Sequence, residues 1–140
     1  MIKLFAIDMD GTLLNSKDRI NESSIEAIRK LNESGVKTVL CSGRVVTSLK
    51  VNNDILQTDN PMIANNGAII KVNSKKVLST HPLEDKHLKE IIDFCENHKF
   101  VYHFYDEDTF YSNSLDFDRL EHLKRDTDYG LNNQCNINIS

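Results

Sequence analysis

Short apolar runs recur along the first part of the chain. In the segment 3–7, a lysine is followed by four apolar residues. Such an apolar run is typical of a strand buried on both faces of a parallel sheet. Residues 36–42, VKTVLCS, are apolar and β-branched and predict a second strand. A third run lies in the stretch PMIANNGAII, which begins at residue 61. The pattern therefore predicts three buried strands, each followed at once by polar residues.

Segments with helical periodicity separate these strands. Apolar residues between Ile25 and Leu31 recur at helical spacing, with Asn21 in position to cap the helix and Gly35 to end it. A second helical stretch covers residues 45–56 and stops at the breaking sequence TDNP. Strand, helix and strand within about 40 residues predict a βαβ unit with a right-handed crossover, so we expect the three strands to run parallel.

The pattern changes at His81-Pro82. Before this point, two apolar runs around the polar turn NSK predict a hairpin, which the proline ends. Beyond it, the pattern predicts a helix over 83–99, two antiparallel aromatic strands in FVYHFYD and TFYSNS, a helix over 117–123 and a strand over 137–139. We therefore expect two domains, 1–81 and 82–140.

Composition narrows the class of protein. The 140 residues suffice for one core but not for two complete domains of ordinary size. The net charge of -4, with acids and bases mixed along the chain, argues against a nucleic-acid partner. No apolar stretch reaches membrane-spanning length and no signal peptide is visible, so we expect no membrane partner. Three widely spaced cysteines without a C-x-x-C motif favour a reduced cytoplasmic protein, with Cys41 as a small buried residue.

Two acids, Asp8 and Asp10, stand one residue apart directly after the first predicted strand. Like charges held close cost free energy unless a cation or a proton offsets them. Mg²⁺ is usually held by one or two carboxylates plus substrate phosphate, and it removes the repulsion between a carboxylate and a phosphate ester. The sequence thus predicts a magnesium site at which Asp8 attacks phosphorus to form an aspartyl-phosphate, while Asp10 serves as general acid and base.

Further polar residues follow the predicted strands, and ligands bind beyond the carboxyl ends of parallel strands. A glycine permits backbone amides to approach phosphate closely, and a serine hydroxyl can bind the same oxygens. Arg44 fits a substrate contact about as well as a surface position at a helix start, and the pair at 66–67 could form only a turn. The residues predicted to bind phosphate or substrate are Gly11, Thr12, Ser42, Gly43, Arg44, Asn66 and Gly67.

The motifs DMDGT, SGR and NNGA, each after a predicted strand, resemble those of the haloacid dehalogenase superfamily of phosphatases, and most of all its Cof-type sugar-phosphatase branch. The resemblance implies an α/β fold: a Rossmann-like core with a parallel sheet, followed from about Leu83 by the beginning of an α+β cap domain. It also implies Asp8 as nucleophile, Asp10 as general acid and base, and Ser42 as the phosphate-binding hydroxyl. Mg²⁺ would be bound by the Asp8 carboxylate and the Asp10 backbone carbonyl.

The chain also departs from the family pattern. Members continue beyond the cap with a lysine that steadies the phosphate and a GDxxND-like motif that completes the metal site, and this sequence contains no Gly-Asp pair. We therefore expect the chain to correspond to the N-terminal half of such an enzyme, with the C-terminal half of the core absent. A half-sheet should expose apolar surface and a bare strand edge, which favours self-association or a partner.

These observations predict a Mg²⁺-dependent phosphomonoesterase that acts on a small phosphorylated metabolite such as a sugar phosphate. The alternative is a catalytically weak or inactive domain that needs its missing half or a partner, because the family's lysine and second acidic motif are absent. A phosphate-accepting regulatory domain would use a similar acidic pair, but the SGR motif and the cap-like segment argue against it.

Overall fold

The computed structural model describes residues 2–107, 109–114 and 136–139. The chain divides into two compact units, Met1–Thr80 and His81–Ser140. The first contains a five-stranded sheet and the second a three-stranded sheet. Across the described part of the chain, every helix is too short or too polar to cross a bilayer. The assignment of the two units as core and cap domains stays a prediction.

The first unit contains a mixed sheet of five strands: β1 (Leu4–Asp8), β2 (Lys37–Cys41), β3 (Met62–Ala64), β4 (Ile69–Lys71) and β5 (Val77–Thr80). Their order in the sheet is β1-β2-β3-β4-β5. Strands β1, β2 and β3 run parallel, whereas β3, β4 and β5 pair antiparallel. Both the parallel arrangement and the hairpin predicted from the sequence are thus confirmed.

Two helices connect the parallel strands: α1 (Glu22–Glu33) lies between β1 and β2, and α2 (Val46–Ile55) lies between β2 and β3. The sequence predicted both. Asn21 occupies the N-cap position of α1, but its side chain forms no capping hydrogen bond and its Oδ1 instead accepts from Nδ2 of Asn15 at 2.8 Å. Gly35 follows the helix with φ of 84°, a conformation that glycine adopts without strain.

The core of the first unit joins both helices to the strands β2, β3 and β4 and to the turn that follows β1. Met9, in that turn, is fully buried although acids precede and follow it. Its burial fixes the path of the chain beside Asp8 and Asp10, which both stay exposed. The buried members of this core are Met9, Leu13, Leu14, Ile28, Leu40, Val46, Leu49, Leu56, Met62, Ala64 and Ile69.

Strand β1 is not buried on both faces, so that prediction is wrong. Leu4 is 56% exposed and Phe5 is 41% exposed, and the preceding Ile2 is 74% exposed. The reason lies in the topology, because β1 is the edge strand and its partner in the described sheet is β2 alone. The expected apolar surface at a bare strand edge is therefore confirmed.

The second unit begins with helix α3 (Asp85–Asn97), which has no buried residue. Strands β6 (His103–Tyr105) and β7 (Thr109–Ser112) pair antiparallel, and β8 (Asn136–Ile139) pairs parallel with β7. The predicted helix, aromatic hairpin and final strand are confirmed here. The helix predicted over 117–123 lies outside the described residues.

The exposed edge at β1 predicts self-association. We expect the chain to form dimers or larger species as its concentration rises, because association would remove apolar surface from water. Leu4→Lys should shift the distribution towards monomer, since a charge on an edge strand opposes pairing. Sedimentation velocity measures the change. Ile55→Lys, at the end of helix α2, is the matched control, because Ile55 is 42% exposed but does not lie on an edge strand. A wild type that stays monomeric throughout would contradict the expectation.

Candidate active site

The carboxyl ends of the three parallel strands surround a cleft of about 230 Å³. Asp8 ends β1 and lies opposite Cys41, which ends β2. Five of the predicted site residues are thereby brought together. Asp10, Gly11, Thr12 and Arg44 are not among the described residues that line the cleft. The described residues that line the cleft are Asp8, Cys41, Ser42, Gly43, Ile63, Asn66 and Gly67.

The turn after β1 holds the carboxylate of Asp8. The hydroxyl of Thr12 donates a hydrogen bond to Oδ2 of Asp8 at 3.2 Å. Gly11 lies between them with φ of 72°, in the left-handed region that favours glycine, and this conformation turns the chain back so that Thr12 reaches Asp8. Thr12 and Gly11 therefore help to orient the carboxylate at the cleft, and their direct contact with phosphate or substrate stays a prediction.

Asp10 is paired with Arg44. Nε of Arg44 donates to Oδ2 of Asp10 at 3.1 Å, and Nη2 donates to Oδ1 at 2.6 Å. The Arg44 side chain is only 6% exposed, whereas that of Asp10 is 45% exposed. The interpretation of Arg44 as a surface arginine is therefore wrong, because the guanidinium is buried against a carboxylate. A direct contact between Arg44 and phosphate stays a prediction.

Backbone hydrogen bonds connect the loop after β2 with the loop after β3. The amide of Asn66 donates to the carbonyl of Ser42 at 3.2 Å, and the amide of Asn65 donates to the carbonyl of Arg44 at 2.9 Å. Within the first loop, the amide of Arg44 donates to Oγ of Ser42 at 3.2 Å. The Ser42 hydroxyl thus accepts one bond and retains its own proton for a ligand.

Three successive residues after β3 have positive φ: 50° at Asn65, 54° at Asn66 and 93° at Gly67. Asparagine and glycine are the residues that tolerate this conformation best. The segment is therefore a turn, which was one of the two interpretations of the pair at 66–67. Asn66 and Gly67 also line the cleft. A Cβ on Gly43 would lie 2.9 Å from Oδ1 of Asn66. The absence of a side chain at Gly43 thus allows the side-chain amide of Asn66 to lie close to the backbone of Gly43.

Cys41 was missed as a residue of the site. It is half-buried and lines the cleft, rather than being a wholly buried apolar residue. Burial, and then the charge of Asp8, raise the pKa of the Cys41 thiol, because both disfavour the thiolate. The signal that could have found it is the pairing of β1 with β2, which sets Cys41 opposite Asp8.

The contact between Gly43 and Asn66 yields a first prediction for the site. Gly43→Ala should displace the flexible Asn66 side chain rather than the backbone, so the free energy of unfolding should change by less than about 1 kcal/mol. The side-chain amide resonances of Asn66 should shift in NMR spectra. Gly35→Ala is the matched control: it should lower stability by about 1 kcal/mol through its positive φ and leave those resonances in place. Unchanged Asn66 resonances in Gly43→Ala would refute the close contact.

The Cys41 thiol yields a second prediction. Its pKa is raised, so at neutral pH it is protonated and should react slowly with iodoacetamide. Asp8→Asn removes the negative charge that helps to raise this pKa, so the pKa should fall. The alkylation rate should then begin to rise at a lower pH than in the wild type. Mass spectrometry of the digested protein measures the rate at each cysteine. Cys95, in the other unit, is the internal control. An identical pH profile in both proteins would exclude electrostatic contact between Asp8 and Cys41.

Known proteins of similar sequence are longer than this chain. The putative phosphatase YxeH of Bacillus subtilis is 33% identical over 120 residues, which cover 83% of this chain and 44% of that protein. The chain thus spans about half the length of the relatives that it matches.

Solved structures match over nearly the whole chain. A haloacid dehalogenase-like hydrolase from B. subtilis superposes with a TM-score of 0.81 at 21% identity, over 99% of this chain and 54% of that one. The subclass IIB sugar phosphatase BT4131 superposes with a TM-score of 0.73 at 25% identity, over 98% of this chain and 52% of that one. These matches confirm the α/β fold class.

The family assignment rests on a match along most of the chain. The sequence pattern that defines the haloacid dehalogenase-like hydrolases matches residues 5–140, from β1 through the cleft and into the second unit. The parallel strands and the acidic residue at the end of β1 are features that the sequence had predicted. The chain therefore belongs to the haloacid dehalogenase-like hydrolase family.

Proposed function

We propose that this chain provides the nucleophile and part of the phosphate site of a Mg²⁺-dependent phosphatase. Its substrate would be a small phosphorylated metabolite such as a sugar phosphate, the class named for the related sugar phosphatase. The observation that carries the proposal is the cleft at the carboxyl ends of the parallel strands, where a carboxylate, a hydroxyl and an amide meet. These are the groups that in-line attack on a phosphate ester needs.

Asp8 would act as the nucleophile. One of its carboxylate oxygens, oriented by Thr12, attacks phosphorus, and the bond from phosphorus to the ester oxygen breaks. Ser42 and Asn66 line the cleft, and the hydroxyl of the first and the side-chain amide of the second would donate to phosphoryl oxygens. The product is an aspartyl-phosphate on Asp8 and a leaving alkoxide that needs a proton.

Asp10 would supply that proton and later take one back. In the first step its carboxyl group protonates the leaving oxygen, and in the second it accepts a proton from the water that attacks the aspartyl-phosphate. The second step releases inorganic phosphate and restores the Asp8 carboxylate. Arg44 donates to both oxygens of the Asp10 carboxylate, so it would hold Asp10 in place for both proton transfers.

The donor set of the cleft is compatible with Mg²⁺. Among the described residues, no three His, Cys, Asp or Glu side chains form a metal-binding group. Mg²⁺ needs only one or two carboxylates and completes its shell with water and phosphate oxygens. Asp8 is exposed and lines the cleft, so its carboxylate could be a ligand. The backbone carbonyl of Asp10 is the second ligand that the family resemblance implies. When bound, the ion would neutralise charge on the phosphate and on the attacking carboxylate.

A second candidate function is a domain that binds Mg²⁺ and phosphate weakly and becomes active only with a complementing polypeptide. The observation that favours it is that the described residues offer no cluster of three metal-binding side chains. Each missing contact worth about 1.4 kcal/mol in the transition state lowers the rate about tenfold.

Hydrolysis of p-nitrophenyl phosphate tests the proposed activity. We expect turnover that requires Mg²⁺ and falls by about three orders of magnitude or more in Asp8→Asn, because the nucleophile is lost. Asp54→Asn is the matched control, since Asp54 is an exposed acid on α2 outside the cleft. Equal turnover by wild type and Asp8→Asn would eliminate Asp8 as the nucleophile.

Magnesium binding can be tested without turnover. A cation at Asp8 offsets the charge that raises the pKa of Cys41, so Mg²⁺ should accelerate alkylation of Cys41 at neutral pH. Asp8→Asn should abolish the acceleration. If the wild type has no phosphatase activity but Mg²⁺ still accelerates alkylation of Cys41, the second candidate function is supported. If Mg²⁺ leaves the Cys41 rate unchanged up to millimolar concentrations, a magnesium site at Asp8 is contradicted.

A further inference from the structure

Arg44 is the residue at which the three loops of the site meet. Its side chain donates two hydrogen bonds to Asp10, in the turn after β1. Its amide donates to Oγ of Ser42, and its carbonyl accepts from the amide of Asn65 in the loop after β3. A displacement of Arg44 therefore changes the position of the acid, the hydroxyl and the asparagine turn together.

The burial of Arg44 makes its partner necessary. The guanidinium is 6% exposed, and a buried charge is tolerated only when it is paired and hydrogen-bonded. The carboxylate of Asp10 provides this with a two-point contact, the geometry that suits a planar guanidinium best. The carboxylate of Asp18 lies farther away, at 3.6 Å from Nη2.

We propose that Arg44 is a positioning residue that acts on the reaction through Asp10 and not by touching the phosphate. The guanidinium fixes the direction of the Asp10 carboxylate and neutralises one of the two acids beside the cleft. An incoming phosphate dianion then meets less negative charge than two uncompensated acids would present. The effect of Arg44 on the reaction rests on the proposed function. The pairing of Arg44 with Asp10 does not depend on that function.

Two observations favour action through Asp10 over direct contact with phosphate. The cleft is lined by Asp8, Ser42 and Gly43 among others, and Arg44 is not one of the described lining residues. Its Nε and Nη2, which form one two-nitrogen edge of the guanidinium, both already donate to Asp10. A phosphate that bound through this edge would have to displace Asp10.

A double-mutant cycle separates the two roles. The variants are Arg44→Gln, Asp10→Asn and the double variant, and the readout is binding of inorganic phosphate with Mg²⁺ present, measured by calorimetry. We expect Arg44→Gln to weaken phosphate binding about tenfold when Asp10 is present, because the exposed carboxylate then repels the anion. In the Asp10→Asn background the same change should weaken binding less than about twofold. Equal weakening in both backgrounds would overturn the proposal in favour of direct contact.

Two further variants test the geometry of the pair. Arg44→Lys keeps the charge but not the fork, so it should restore only part of the phosphate affinity lost in Arg44→Gln. Asp18→Asn removes the more distant acid near the same guanidinium and is the matched control, with an effect below about twofold. Full restoration by Arg44→Lys, or an Asp18→Asn loss equal to that of Arg44→Gln, would contradict a role through the two-point contact.

Urea unfolding of the wild type, Arg44→Gln, Asp10→Asn and the double variant tests the pairing separately from the proposed function. The two single variants should together lower the midpoint by clearly more than the double variant does, since both remove the same contact and Asp10→Asn leaves the buried Arg44 guanidinium without its carboxylate. Additive shifts would refute the pairing whatever the activity. If even the wild type binds no phosphate, the proposed function fails for this chain, and the unfolding cycle alone decides whether Arg44 positions Asp10.

Discussion

The ion pair between Asp10 and Arg44 is the interaction on which the rest of the site depends. Two acids one residue apart require a compensating cation, and the structure provides one from a position 34 residues farther along the chain. Because that guanidinium is buried, the loop after β2 must lie against the turn after β1. The electrostatic demand of the acidic pair thus determines how two loops from different strands meet.

Much of the fold and half of the site could be predicted because they depend on local patterns. Period and propensity are properties of short segments, so the parallel strands, the helices between them and the hairpin followed directly from the sequence. The convergence of Asp8, Ser42 and Asn66 on one cleft needed only the rule that parallel strands end at the same edge of the sheet. The roles of these residues in chemistry stay proposals.

The remaining features depend on neighbours that no local pattern reveals. The composition of β1 is that of a buried strand, but its exposure depends on what lies beside it, and Leu4 and Phe5 are open to solvent. Whether Arg44 is buried depends on the distant Asp10, and whether Cys41 faces the cleft depends on the register with β1. Such pairings are decided only when the elements pack together.

Met9, fully buried between two exposed acids, ties the order of the site to the cooperativity of folding. The anchor of the acidic turn is a member of the main core cluster, so this turn cannot open as an isolated loop while the core stays closed. Hydrogen exchange at the turn should then share the opening free energy of the sheet rather than that of surface loops. The positions of the two acids are thus coupled to the packing of the core through the methionine between them.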